Sequence, residues 1–358
     1  MSPPLNHAFR RALVLVVLGP WMASSVGAAA TPSAAPSPVP PASTVLGIDG
    51  SRFTINRRPV FLLGFSYYGA LGAPETVLRR DLDEFQRCGF NWLRVWATWN
   101  AYGADVSAVD AAGKAHPPYL DRLRSLVADC DHRGLIVDVT LTRHRPSGPA
   151  DKEAGVHDLN AHARAITVLV DTLKPYRNWY LDLANERDVG DARFVPVDEL
   201  RRLRNHVREL DPQRLVTASF GGHDLSAQDV RDALLTADLD FLAPHRPRHA
   251  KSPGETEAHT RELLARVAAE GRRVPVLHQE PFRRGYGSWN PAAEDFLLDL
   301  RGAVAGGAAG WCFHNGSERK TVEGKPRRSF DLRTRPLLDQ LDPEERRVVL
   351  AAAAAARR

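Results

Sequence analysis

The sequence predicts an α/β fold, a closed (β/α)8 TIM barrel, and three observations carry that prediction. Short apolar runs rich in β-branched and aromatic residues recur eight times along the chain. Amphipathic helical patterns separate them, so each strand feeds a helix and the strands must lie parallel. Eight such units between residues 45 and 340 suit a closed barrel better than an open sheet. No glycine-rich phosphate loop follows any early strand, which weakens a doubly wound, nucleotide-binding alternative.

The elements follow in order. Residues 1–30 read as a signal peptide: Arg10 and Arg11 precede the apolar run 12–18, and small residues at 26–30 offer a cleavage site. Residues 31–44 are a Pro/Ala/Ser-rich tether that cannot bury enough apolar surface to fold. An Asp-Gly turn within 46–55 predicts a short N-terminal β-hairpin, read as a small lid. Barrel strands are expected at 61–65, 91–96, 135–141, 179–183, 214–219, 240–243, 274–278 and 309–313. Helices are expected near 76–88, 118–132, 157–174, 196–210, 226–236, 255–270 and 291–304. The barrel domain so defined runs over 45–340. Residues 341–358 form a helical or disordered tail, capped at Asp342-Pro343 and expected to pack loosely.

Composition narrows the function. With 43% hydrophobic and 25% charged residues the chain resembles an ordinary globular enzyme. A net charge of +5, without a dense basic block interleaved with aromatics, argues against nucleic-acid binding. Cys88, Cys130 and Cys312 are too few and too scattered for a disulfide framework or a zinc site, so free thiols are expected, with a Cys88–Cys130 bridge as the alternative. No cofactor and no metal is implied. The expected product is a secreted or periplasmic monomer that acts on carbohydrate and keeps no stable membrane association once the signal is removed.

Barrel active sites form at the carboxyl ends of the strands, and conspicuous polar residues fall there. The run WYLDLANERD at 179–188 ends its apolar stretch in Asn185 and Glu186, and VPVLHQEP at 274–281 ends in Glu280. Either glutamate alone could be a strand-end ion pair. Two of them suggest a glycosidase, which needs one carboxyl as general acid and another as nucleophile or base. Arg94, Arg143, His144, Arg145, His223, His245, Arg246 and His314-Asn315 fall at the same end.

On these residues the chain resembles the clan A glycoside hydrolases, and within them the cellulase and mannanase-like family 5 grouping. The resemblance spans about 46–330 and rests on FTIN at 53–56, PVFLLG at 59–64, GFNWLR at 89–94, Asn185-Glu186, Glu280 and Trp311. It implies that Glu186 is the acid/base, Glu280 the nucleophile, and Asn185 the partner of the sugar 2-hydroxyl. It further implies that Arg94 keeps the nucleophile ionised, that Trp311 is the platform under a sugar ring, and that His245 belongs to the substrate site. Trp96, Trp99, Tyr67 and Tyr68 are further candidates for sugar contacts. One departure stands out. The family's His-x-Tyr after the sixth strand is here His245-Arg246-Pro247, so another loop must supply the hydroxyl, or Arg94 alone holds the nucleophile.

The function expected is an exported retaining hydrolase of β-linked polysaccharide or oligosaccharide. A galactosidase- or mannosidase-like specificity is the alternative enzyme, and a barrel that binds carbohydrate without catalysis is the alternative of another class. Retention would require carboxyls roughly 5 to 5.5 Å apart, with Glu186 protonated at rest and Glu280 ionised beside Arg94. Arg143, Arg145, Arg187, Arg246, Arg248, Arg283 and Arg284 also fall in loops at this end. They could select sugars bearing carboxylate or sulfate. They could equally belong to a solvated rim of an arginine-rich protein, and composition alone favours the rim.

Overall fold

The computed structural model describes residues 44–145, 154–284, 289–314 and 330–357. The signal peptide, the tether up to residue 43, and Asn315 lie outside the described residues. Eight parallel strands form the barrel: Leu62–Ser66, Trp92–Trp96, Ile136–Thr140, Trp179–Asp182, Val216–Thr217 resumed as Ser219–Phe220, Ala243–Pro244, Leu277–His278 and Gly310–Phe313. The first five pair in chain order, the eighth pairs with both the first and the seventh, and Ser219–Phe220 pairs with the sixth. A parallel bridge from Leu242 to Val276 closes the ring.

Helices α1 (Glu75–Arg87), α2 (Tyr119–Arg133), α3 (Leu159–Leu173), α4 (Val197–Leu210), α5 (Ala227–Arg231), α6 (Ser252–Ala269) and α7 (Ala293–Gly306) follow the first seven strands in turn. Local chemistry fixes several ends. The Asp158 side chain accepts from Ala161 N at the start of α3, and α2 stops at Gly134, whose φ of 74° is left-handed.

Side chains alternate along each strand and divide the core in two. Leu62, Trp92, Ile136, Tyr180, Phe241, Leu277 and Cys312 fill the barrel. Leu93, Val95, Val137, Leu181, Trp311 and Phe313 belong to the larger cluster shared with the helices. Gly64 is required where it stands, because a Cβ there would overlap the indole of Trp92 opposite it. The N-terminal segment is a three-stranded antiparallel sheet, Leu46–Asp49, Arg52–Ile55 and Arg58–Val60. Phe53 from this sheet meets Phe241 edge-on inside the barrel, 5.0 Å between centroids. The sheet therefore plugs the amino end of the barrel and is no lid over the carboxyl end.

The tail does not fray. Helix α8 (Pro343–Ala355) begins with a capping box between Asp342 and Glu345 and buries Val348, Val349 and Ala352. Glu344 Oε2 accepts from Ala293 N at the start of α7, 2.7 Å away. Cys88, Cys130 and Cys312 are free thiols; Cys130 and Cys312 are buried and Cys88 half-buried. Among the described residues no helix is long and apolar enough to cross a membrane.

Candidate active site

Above the apolar layer the inward-facing residues of the second to fourth strands become polar. Arg94 lies in register with Asp138, and Thr140 with Asp182. A guanidinium buried without compensation would cost several kcal/mol, and here four oxygens surround it. Arg94 donates from Nη2 to Asp182 Oδ2 (3.1 Å) and Asn185 Oδ1 (2.9 Å), and from Nη1 to Glu280; its Nε lies 3.3 Å from Asp138 Oδ2. Asp138 also accepts from Tyr180 Oη (2.9 Å) and Gln279 Nε2 (2.5 Å). Burial pushes Asp138 up to about 7, with Arg94 opposing and the nearby Asp182 adding to the rise.

Glu186 and Glu280 stand on this layer. The chain leaves the fourth strand through Asn185, whose N–H donates to Leu141 O (2.9 Å), into Glu186 with a φ of 48°. That left-handed conformation is costly for a glutamate, and the surroundings hold it: Ser219 Oγ accepts from Glu186 N (3.1 Å) and Ser219 O from Arg187 N (3.0 Å). The buried ring of His245 lies between the two carboxylates. Its Nδ1 is 3.1 Å from Glu186 Oε1 and 3.6 Å from Glu280 Oε2. Donor atoms of Glu186, His245 and Glu280 all lie within 4.8 Å of one another. Such a trio could hold a metal ion, but three guanidiniums, those of Arg94, Arg193 and Arg248, already compensate its carboxylates.

The hydroxyl missing from the loop after the sixth strand comes from the loop after the first. Tyr68 Oη donates to Glu280 Oε1 at 2.7 Å, and its ring packs against Trp96 and Trp99. Burial opposes ionisation of Glu280, but His245, His314, Arg94 and Arg248 together hold its carboxyl well below the usual range.

Glu186 departs from expectation. Burial alone would raise it, yet the hydrogen bond and charge of His245 and the charge of Arg248 outweigh burial and the repulsion of Glu280, and its pKa falls to about 2. Arg193 Nη1 also pairs with Glu186 Oε2. The acid/base candidate is thus ionised in the free protein, contrary to the protonated resting state expected of it. Nothing in the strand pattern marked Arg193, which lies on the loop after the fourth strand; the cluster of loop arginines was the only available signal.

The cleft above the carboxylates is lined by Asn185, Glu186, Glu280, Tyr68, Trp96 and Trp99 together with Arg143, Arg193, Arg248 and Arg283. Of the expected substrate contacts, Asn185 reaches it. Arg94 and His245 are fully buried and touch the carboxylates instead, Arg94 at Glu280 and His245 beside both. Trp311 requires a correction. It is 0% exposed, its strand parity turns it outward, and its Nε1 donates to Asp299 Oδ2 on α7 (2.6 Å), so it is core and no sugar platform. Tyr67 likewise turns away and donates to Asp81 (2.7 Å). Several charged candidates also leave the cleft: Arg246 and His259 hold Asp224, Arg284 holds Asp342, His223 sits by Asp188 and Asp229, and Arg187 lies over Phe220.

Fold and site together define a (β/α)8 barrel with a paired-carboxylate centre at the carboxyl ends of its fourth and seventh strands. No protein-family model matches the sequence, and no curated protein does. Solved structures do match. A glycoside hydrolase family 5 mannosidase from Rhizomucor miehei superposes with a TM-score of 0.58 at 14% identity, covering 88% of this chain and 98% of that one. A β-1,4-D-mannanase from Cryptopygus antarcticus gives 0.54 at 15%, over 79% and 91%. A family 5 glycoside hydrolase from Bacteroides vulgatus gives 0.57 at 18%, over 78% of this chain but only 62% of its own length. At these identities the likeness is one of fold.

Proposed function

We propose that the protein is a retaining glycoside hydrolase that cleaves β-linked polysaccharide or oligosaccharide through a covalent glycosyl-enzyme intermediate. The closeness of Glu186 and Glu280 carries this reading. One oxygen of each lies within 4.8 Å of an oxygen of the other, a closeness that suits the roughly 5 to 5.5 Å of a retaining pair. The family 5 character of the fold neighbours supports it. So does the signal-like start of the chain for an exported enzyme.

Glu280 attacks the anomeric carbon as a carboxylate, kept ionised by Arg94 and aligned by Tyr68. Asn185, fixed by Arg94, faces the cleft beside it where a sugar hydroxyl would lie. Glu186 protonates the departing oxygen and later deprotonates the incoming water. In the free protein it is the conjugate base, so it must take a proton from solvent as substrate binds, against the hold of His245, Arg248 and Arg193.

Product stereochemistry followed by proton NMR, over a panel of polysaccharides and aryl glycosides, tests the mechanism. Net retention is expected. Glu280→Gln should abolish turnover of every substrate. Glu186→Ala should spare glycosylation from good leaving groups, with azide speeding release of the sugar. Inversion, or an active Glu280→Gln protein, excludes the assignment; binding of sugar without turnover by the intact protein would instead favour a non-catalytic carbohydrate-binding barrel.

A further inference from the structure

Arg94 already neutralises the nucleophile from below, yet two more arginines reach the carboxylates from the loops above. Arg248, on the loop after the sixth strand, is anchored by Nε to Pro281 O (2.9 Å), and its Nη2 lies 3.0 Å from Glu280 Oε2 and 3.6 Å from Glu186 Oε1. Arg193, on the loop after the fourth strand, pairs with Glu186 Oε2 and with Asp191, whose Oδ2 is 2.7 Å from its Nη2. One guanidinium therefore bridges the two carboxylates across the space that a scissile bond must enter, and another covers the oxygen of Glu186 that must carry the proton.

A substrate has to move both. A neutral sugar offers hydroxyls, which replace a carboxylate poorly as partner of a guanidinium, and separating the paired charges without a new counter-charge is unfavourable. A planar or tetrahedral oxyanion on the sugar replaces like with like through the same forked donors. The two arginines are placed for such an exchange: their side chains are 30% and 21% exposed, so they can swing within the cleft mouth without unpacking the barrel. The other lining arginines are less available. Arg143 is held by Glu199 (3.0 Å), and Arg283 sits 3.3 Å from His314.

We propose that this cleft selects a glycoside bearing an anionic substituent, a carboxylate or a sulfate ester, next to the scissile bond, with Arg193 and Arg248 as the residues that read it. The inference rests on the glycosidase reading. The anion draws the two guanidiniums off Glu186 and Glu280, so recognition of the charged sugar and release of the acid/base are one event.

Isothermal titration of the intact protein with β-linked neutral tetrasaccharides (cello- and manno-), with glucuronate and mannuronate tetrasaccharides, and with sulfated forms of the neutral pair tests this. At low salt an anionic ligand should bind at least tenfold more tightly than its neutral counterpart, and the gap should narrow in 0.5 M NaCl. The uronate and sulfated arms identify which oxyanion is read. Arg193→Gln and Arg248→Gln should each shrink the gap to less than threefold, while Arg58→Gln, an exposed arginine of the N-terminal sheet outside the cleft lining, should leave it intact. Using two variants guards against one that fails to fold. Neutral ligands binding as tightly as anionic ones, or a gap that Arg58→Gln removes as readily, overturns the proposal and leaves the glycosidase reading standing. Binding of no sugar at all removes both.

Discussion

Glu280 is held from below by Arg94 and from the side by Tyr68, and the two contacts differ in kind. Arg94 is locked by Asp182, Asn185 and Asp138 and cannot be removed without leaving buried carboxylates unpaired. Tyr68 contributes one hydrogen bond to a charged acceptor, worth roughly 1.5–3 kcal/mol. Tyr68→Phe should therefore fold normally and lower kcat/KM by about 10- to 100-fold, measured on an aryl glycoside. Under the proposed mechanism Glu186 should set the pH dependence. That mechanism needs its acid form, and its pKa in the free protein is depressed to about 2, so the fraction protonated falls as pH rises from there. Because kcat/KM reports the free enzyme, its descending limb should begin below about pH 4, rather than near 6 as in a glycosidase with a raised acid. A plateau of kcat/KM extending through pH 6 would show that Glu186 is not held down in solution.

At the scale of elements, the loops at the carboxyl ends make the site and the elements at the other end hold the barrel shut. The N-terminal sheet inserts Phe53 among Leu62, Trp92 and Tyr180, which closes the bottom of the interior. Helix α8 packs on α7 and buries Val348, Val349 and Ala352, and Asp342 beside it pairs with Arg284, the neighbour of the cleft residue Arg283. Full burial of each valine is worth about 1.5–3 kcal/mol. Ending the chain at Leu341 should lower stability by several kcal/mol in urea unfolding followed by circular dichroism. An unchanged midpoint would mean that α8 is a passenger.

Across the whole molecule, closing the ring brings together groups that the chain keeps far apart. Arg94 and Glu280 are separated by 186 residues, and Tyr68 and Glu280 by 212. The residues that precede the barrel bear on a separate expectation, that the protein is exported. The composition of 1–30 is that of an export signal and that of 31–44 is that of a Pro/Ala/Ser-rich tether. Material recovered outside the cytoplasm should begin close to Thr31 on N-terminal sequencing; exported protein that still starts at Met1 would refute the signal reading.

The strand and helix order, and with it the barrel, was legible because alternation of apolar runs with amphipathic segments is a local property. The two glutamates were legible for the same reason, since each ends an apolar strand, and parity within a strand already decides whether a residue faces the barrel or the helices. Trp311 shows how easily that parity is misread: one residue either way separates an inward Cys312 from an outward tryptophan bonded to Asp299. Tertiary structure alone decided which hydroxyl touches Glu280, and it chose Tyr68 of the loop after the first strand where the loop after the sixth has none. It also decided the charge state of Glu186. A carboxyl's pKa depends on the balance of burial against the charges around it, and His245, Arg193 and Arg248 reach Glu186 from 59, 7 and 62 positions away along the chain. No window of sequence contains that balance, because it exists only when three loops meet over the end of the barrel.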